Sequence, residues 1–242
     1  MPRFLLLRLE APLLAFGGET VDARGVIVDF PGASLLTGLL ANALGYRRGE
    51  RDRLQGLQDR LVFAARLDRP GTRITDFQTA RLGAGDQGWT TRGRPEGRAG
   101  GAGTYKGPHI RRPDYDCDTS CAVALRLEPE DARPTLDDLC EALLSPARPL
   151  FLGRKPCLPS RPLLDADPRL RIVEAANLLA ALAFLPPEDG SSTLRVMLPE
   201  GEPALPGDHV RPLTDERNWR SGVHGGHRLV RIRALPRREA AE

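Results

Sequence analysis

The sequence predicts an α+β fold: a βαββαβ domain carrying a long excursion between its second and third strands, followed by a smaller, mainly β region. Three observations predict it. Strand-length apolar runs recur at "FLLLRL", "LVFAARLD", "SCAVALRL" and "RPLFLG". Helical spacing, not alternation, fills the gaps after the first and third runs. Between the second and third runs, residues 83–107 hold nine glycines, too long and too apolar-poor for an ordinary connection in a compact domain.

The elements follow in order. Arg3–Leu9 reads as a buried strand. "PGASLLTGLLANALG" spaces Leu35, Leu36, Leu39, Leu40, Ala43 and Leu44 as one helical face, with Ser34 as N-cap and Gly45 as stop. A short helix around Arg51–Arg60 leads into the strand "LVFAARLD". After the glycine-rich arm the strand "SCAVALRL" is followed by the helix "TLDDLCEALL", where Thr135 and Asp138 resemble a capping box. "RPLFLG" is the last strand of the series. This order is the ferredoxin-like arrangement, shared by RNA-recognition modules. The domain is expected over residues 1–155, with the arm at about 78–112. Residues 156–242 are expected as the smaller unit: a helix from Pro168 to Leu185, then strands such as "TLRVML" and "HRLVRIRAL".

Composition narrows the function. A chain of 242 residues with 40% hydrophobic and 28% charged residues is globular, and "FLLL", broken by Arg8 and Glu10, is neither a signal peptide nor a membrane span. The four cysteines lack zinc spacing; with no export signal, reduced thiols in a cytoplasm are expected. No metal or other cofactor is expected. Only Lys106 and Lys155 are lysines; the other 33 cations are arginines. The net charge of +3 conceals two basic segments. Arg92–Arg112 carries six cations against Glu96, and His209–Arg238 carries eight arginines against Asp215 and Glu216. Such segments suit a polyanionic partner, or a solvated surface.

The motifs are weighed on context. "GAGDQG" has the letters of a dinucleotide fingerprint, yet no apolar strand precedes it and no helix follows, so it reads as part of a flexible arm. Tyr105, Lys106 and His109 are the residue types of metal-free RNA cleavage, but a glycine-rich arm holds groups too loosely for catalysis, which favours binding contacts. "SGVHGGH" reads as a loop. "FLGRKP" places Gly153, Arg154 and Lys155 at the expected end of a strand, where exposed N–H groups and two cations suit a phosphate. Spacing alone leaves that reading level with a solvated turn.

Taken together, "LLLRLEAPLLAFGG", "FPGASLLTGLLANALG", "TDFQT", "RRPDYDCDTSCAVALRL" and "FLGRKPC", with "ERNWRSG" as a looser match, resemble the CasD-type small subunits of type I-E CRISPR Cascade, within the repeat-associated RNA-binding superfamily. The resemblance covers nearly the whole chain, most firmly residues 3–160. It implies a non-catalytic subunit that holds the 5′ handle of CRISPR RNA and projects a β-hairpin thumb over the guide near the guide–target DNA heteroduplex. It also implies contacts with the backbone and large subunits of the complex. On that reading Arg154 and Lys155 touch handle phosphates beside Gly153, with Ser34 at the first helix's N-terminus and Arg24 joining them. Tyr105, Lys106, Arg111 and Arg112 contact the guide backbone, and Trp89 stacks or wedges against a base. A metal-free endoribonuclease acting on CRISPR precursor RNA is the alternative.

Overall fold

The computed structural model describes residues 1–20, 22–81, 88–89, 95–96, 108–187 and 193–236. Its elements begin with β1 (Arg3–Leu14), β2 (Arg24–Gly25), α1 (Ala33–Ala43), α2 (Arg51–Arg60) and β3 (Leu61–Arg69). Then come β4 (Thr72–Thr75), β5 (Gln78–Ala80), β6 (Gly88–Trp89), β7 (Pro95–Glu96), β8 (His109–Leu127) and α3 (Leu136–Leu144). A 3-10 turn at Pro168–Leu170 precedes β9 (Ile172–Glu174), α4 (Leu178–Leu182) and β10 (Thr193–Pro199). The chain continues with β11 (His209–Leu213), β12 (Arg217–Asn218), β13 (Val223–His224) and β14 (Arg228–Pro236).

The main sheet runs β11-β14-β10-β3-β8-β1-β9, with β2, β4 and β5 pairing further along β8. Within it β9, β1, β8 and β3 are antiparallel neighbours in that order. The strand beside β1 at the sheet edge is β9, not the expected "RPLFLG". That segment is not a strand: Leu150–Pro156 forms bends and a turn. The expected helix Pro168–Leu185 is likewise replaced by the 3-10 turn, β9 and the five-residue α4. Pro168 and Asp167 start the turn, whose N-cap carboxylate accepts the Arg169 N–H, and Asn177 caps α4 by accepting the Ala180 N–H at 2.8 Å. Two caps within eleven residues break one apolar periodicity into separate pieces. β10 pairs with β3 and β14 with β10, so strands of the 156–242 region extend the same sheet.

Both faces of the sheet are covered, which explains the unbroken apolar run of β1. Leu5, Leu7 and Leu9 pack toward α1, α2 and α3, while Phe4 and Leu6 pack on the opposite face with Leu178, Ala181 and Leu182 of α4. The α4 face is floored by small residues, Ala64, Ala122 and Ala124. They leave room for a helix pressed close to the strands. The C-terminal end of α4 rests on buried charge: Arg66 donates to the Leu182 and Leu185 carbonyls at 2.8 and 2.7 Å and pairs with Asp68. Such a guanidinium satisfies carbonyls that the helix leaves unpaired.

The expected capping box of α3 is formed: Asp138 N–H donates to Thr135 Oγ1 at 3.2 Å and Thr135 N–H donates to Asp138 Oδ2 at 2.8 Å. The cap of α1 is different from the one expected. Gly32 is the N-cap, and Asp215 fills the helix N-terminus, its Oδ2 accepting the Ala33 N–H at 3.0 Å and its carbonyl the Ser34 N–H at 2.9 Å. Ser34 is therefore inside the first turn. The helix dipole there is met by an internal carboxylate, itself paired with Arg228 at 2.7 Å.

The crossing from β3 into β4 depends on Gly71. A Cβ on Gly71 would lie 2.2 Å from both the Cys117 carbonyl oxygen and Thr119 Oγ1, where nothing can yield but β8 itself. Gly71→Ala is expected to cost about 1–3 kcal/mol, read as a lowered urea midpoint. Gly49→Ala, whose Cβ would meet nothing within 4 Å, is the control and should leave the midpoint within about 0.5 kcal/mol of the parent.

Candidate nucleic-acid interface

β8 is 19 residues long; its second half lies in the core, and of its first half Pro113–Asp116 are buried while His109–Arg112 are exposed. Residues from Thr119 onward pair with β1 and β3, and residues 109–117 run on as a ribbon paired with β5, β4 and the end of β1. Asp118 marks the bend, with φ of +59° and a register shift between Leu67 and Arg69 on the facing strand. Both strands of the ribbon's outer part, β4 and β5, are exposed throughout, and so are His109, Ile110, Arg111 and Arg112. Beyond Pro113, toward His109, the ribbon is exposed on the β8 strand as well as on β5.

Alternation along "DYDCD" builds its base. Asp114 and Asp116 face arginines: Arg24 Nε lies 3.3 Å from Asp114 Oδ2, and Arg73 donates to both oxygens of Asp116 at 3.0 and 3.1 Å. Thr75 Oγ1 donates to Asp114 Oδ1 at 2.6 Å. That hydrogen bond first, and then the charge of Arg24, hold the Asp114 carboxyl below the usual carboxylate range. Tyr115 points the other way, into the core. β2 runs parallel beside this stretch, pairing Arg24 with Arg112 and Gly25 with Pro113.

"FLGRKP" closes over that base as a loop. Leu152 N–H donates to the Cys157 carbonyl at 2.7 Å, and Ala15 N–H, just past β1, donates to the Leu152 carbonyl at 3.3 Å. Gly153 has φ of +99°, and a Cβ there would sit 1.8 Å from the Ala15 carbonyl oxygen. Glycine is thus required twice over, by conformation and by space. Arg154 turns inward: Nη1 donates to the Asp114 carbonyl at 2.5 Å, Nη2 to the Gly25 carbonyl at 2.8 Å, and the guanidinium lies 4.8 Å from the Tyr115 ring centre. Gly25 leaves the space for it, since a Cβ would come within 2.6 Å of Nη2. Lys155 is exposed beside it.

The structure therefore gathers Arg24, Arg111, Arg112, Gly153, Arg154 and Lys155 around one ribbon base. Arg111 Nη1 reaches the Asp22 carbonyl at 3.3 Å, and Arg112 lies 5.8 Å from the exposed ring of Phe77. Ser34 is elsewhere, under Asp215. Tyr105 and Lys106 lie outside the described residues, as do "GAGDQG" up to Gln87 and the side chain of Trp89; the Trp89 backbone pairs with Pro95 in the small β6–β7 ribbon. Asp114, Tyr115 and Phe77 were not singled out from the sequence. The period-2 placement of Asp114 and Asp116 opposite arginine-bearing strands is the signal that points to them.

Comparison with known proteins gives this arrangement a family. The family profile described as "CRISPR-associated protein (Cas_Cas5)" matches residues 4–231. The chain belongs to the Cas5 family of CRISPR-associated proteins. Among curated proteins, it is 32% identical over 163 residues to "CRISPR system Cascade subunit CasD" of Escherichia coli (strain K12), covering 67% of this chain and 70% of that protein. Among solved structures, a chain of a "CRISPR RNA-guided surveillance complex" aligns over 96% of this chain and 89% of its own, at 24% identity and a TM-score of 0.63. A "Crystal structure of Cas protein" aligns over 96% and 95%, at 28% identity and the same TM-score. The mixed α+β architecture of this Cas5-family chain, with its large antiparallel sheet, matches these neighbours.

The geometry of the base can be tested at two of its residues. Gly153→Ala is expected to lower the melting temperature even though no charge changes, and to do so more than Lys155→Ala. Because the Asp114 carboxyl titrates lower folded than unfolded, its contribution is complete above its unfolded value of about 3.9 and is lost as pH falls through the folded value. Asp114→Asn should therefore melt earlier than the parent at pH 7, with the gap narrowing as pH falls below the unfolded value; a gap that stays equal on acidification would remove the carboxylate from this role.

Proposed function

We propose that this chain is the CasD-like, non-catalytic subunit of a type I-E CRISPR surveillance complex, binding the 5′ handle of CRISPR RNA at the ribbon base. The observation that carries the reading is the convergence of Arg24, Arg111, Arg112 and Lys155, all exposed, on one bent ribbon of a Cas5-family chain. The cations supply the phosphate attraction that dominates nucleic-acid affinity. Arg154 acts from beneath: it ties β2, β8 and the Gly153 loop together and so fixes where Lys155 and Arg24 stand. The ribbon reaches over the guide, with Phe77 as an exposed aromatic at its root and Trp89, Tyr105 and Lys106 further along the arm in sequence. Guide–target DNA pairing near the 5′ end of the guide, and the backbone and large subunits, are the other partners. Such a complex would do its work in the cytoplasm, where invading DNA is met. Among the described residues no helix is long and apolar enough to cross a membrane.

Changing Arg111, Arg112 and Lys155 together to Gln should weaken binding of a repeat-derived RNA. It should also flatten the slope of log affinity against log salt by about 0.7 for each phosphate no longer neutralised, or about 2 in all. An unchanged slope would sink the ribbon base as the binding site. Incubating the purified chain with repeat RNA in EDTA is expected to leave the RNA intact; site-specific cleavage abolished by His109→Ala would instead make the chain a metal-free endoribonuclease.

A further inference from the structure

A second cationic surface lies away from the ribbon, in an open groove of about 970 Å³ between α1, the start of α2 and the β12–β13 hairpin. Four arginines line it, Arg48, Arg51, Arg148 and Arg217, together with Tyr46 and Trp219; no Asp or Glu is among its lining residues. Three of these arginines are held by backbone carbonyls. Arg51 Nη1 donates to the Arg220 carbonyl at 2.8 Å, Arg148 donates to the Tyr46 and Gly45 carbonyls at 2.8 and 2.9 Å, and Arg217 Nη2 donates to the Gly222 carbonyl at 2.8 Å. Carbonyls fix a guanidinium without cancelling its charge. The nearby carboxylates are engaged elsewhere, Asp52 with Arg220 at 2.7 Å and Glu50 with Arg53 at 2.5 Å. Trp219 is itself fixed, its Nε1 donating to Gln58 Oε1 at 2.9 Å, and Arg217 lies 5.3 Å from its ring centre.

We propose that this groove binds the backbone of single-stranded RNA, as a second station for the same strand that the ribbon base holds. Guanidinium groups positioned by carbonyls beside a partly exposed indole supply the two parts of a single-strand site, a charged track and a stacking platform. Its concave form suits a single strand over a double helix, whose phosphates stand on a convex surface. Continuity favours RNA: the segment from Arg148 to Arg154 links the groove to the ribbon base, and it spans at most about 22 Å even fully extended. This inference rests on the reading that the chain holds RNA at the ribbon base.

The test uses the full chain carrying Trp89→Phe, so that Trp219 is its one tryptophan. Single-stranded RNA, single-stranded DNA of the same sequence and polyglutamate are titrated at matched ionic strength, following Trp219 fluorescence and overall affinity. RNA is expected to quench Trp219. Arg51→Gln with Arg217→Gln, which removes two charges, should reduce the salt slope by about 1.4, whereas Arg51→Lys with Arg217→Lys, which keeps both charges, should leave it unchanged. The triple ribbon variant should weaken the same titration, since one strand spans both places. RNA that binds through the ribbon without quenching Trp219, and with an unchanged slope in the groove variant, would overturn the groove and leave the ribbon reading intact. RNA binding undiminished in both variants would overturn both. Quenching by polyglutamate but not RNA would reassign the groove to an acidic protein segment, and tighter binding of DNA than of RNA would reassign it to DNA; either result overturns the proposal.

Discussion

The structure depends on one strand. β8 is the antiparallel neighbour of both β1 and β3 over its inner half, so the core sheet exists only if it is in place. Its outer half carries β4, β5 and β2, and so sets the ribbon. What joins the two halves is steric: the left-handed Asp118, the register shift in β3 facing Ser120 and Cys121, and the close approach of Gly71 to the Cys117 and Thr119 atoms. A strand that twists and bends at a bulge can leave a sheet without ending. Core and ribbon are therefore one continuous ladder, and their relative direction is fixed by the conformation of a few residues.

Around this strand, arginine serves two opposite purposes. The C-terminal basic segment reads from its composition as a polyanion surface, yet Arg228 pairs with Asp215 and Arg233 with Asp208, while Arg231 donates to the Glu200 and Glu202 carbonyls. The Asp208 carboxyl is held far below the usual range, by Arg233 first and by the Leu205 N–H next. These arginines brace β14 against the loops around it. Where guanidinium groups rest on carbonyls instead, as Arg154, Arg148 and Arg51 do, the charge stays and only the position is fixed. Arginine suits both purposes because its planar fork keeps several donors after one is used.

The legible parts of the sequence were those decided locally. The capping box of α3, the glycine stop of α1 at Gly45 (φ +77°) and the apolar runs of β1, β3, β10 and β14 each express a preference that tertiary contacts agree with. The illegible parts were decided by distant groups. Ser34 has the side chain of an N-cap, but Asp215, far along the chain, occupies the helix end. Phe151 and Leu152 form a strand-like couplet, yet Pro149 and Pro156 confine it and the Ala15 and Cys157 backbones draw it into a loop. The apolar stretch after Pro168 has no local feature separating one helix from a turn, a strand and a shorter helix; pairing of Ile172–Glu174 with β1 decides it.

The residues proposed to bind RNA show the same division, with one instructive reversal. Composition singled out Arg154 and Lys155 as an equal pair, because a sequence carries charge without direction. In space they part: the loop forced by Gly153 sends Arg154 beneath the surface, to the carbonyls of Asp114 and Gly25, and leaves Lys155 outside. Asp114 then becomes the meeting point of the base, since its carbonyl receives Arg154 while its carboxylate receives Thr75 and Arg24. One residue thus couples the loop, β2 and β4. The cations offered outward stand where they do because an aspartate and an arginine beneath them hold three segments of chain together.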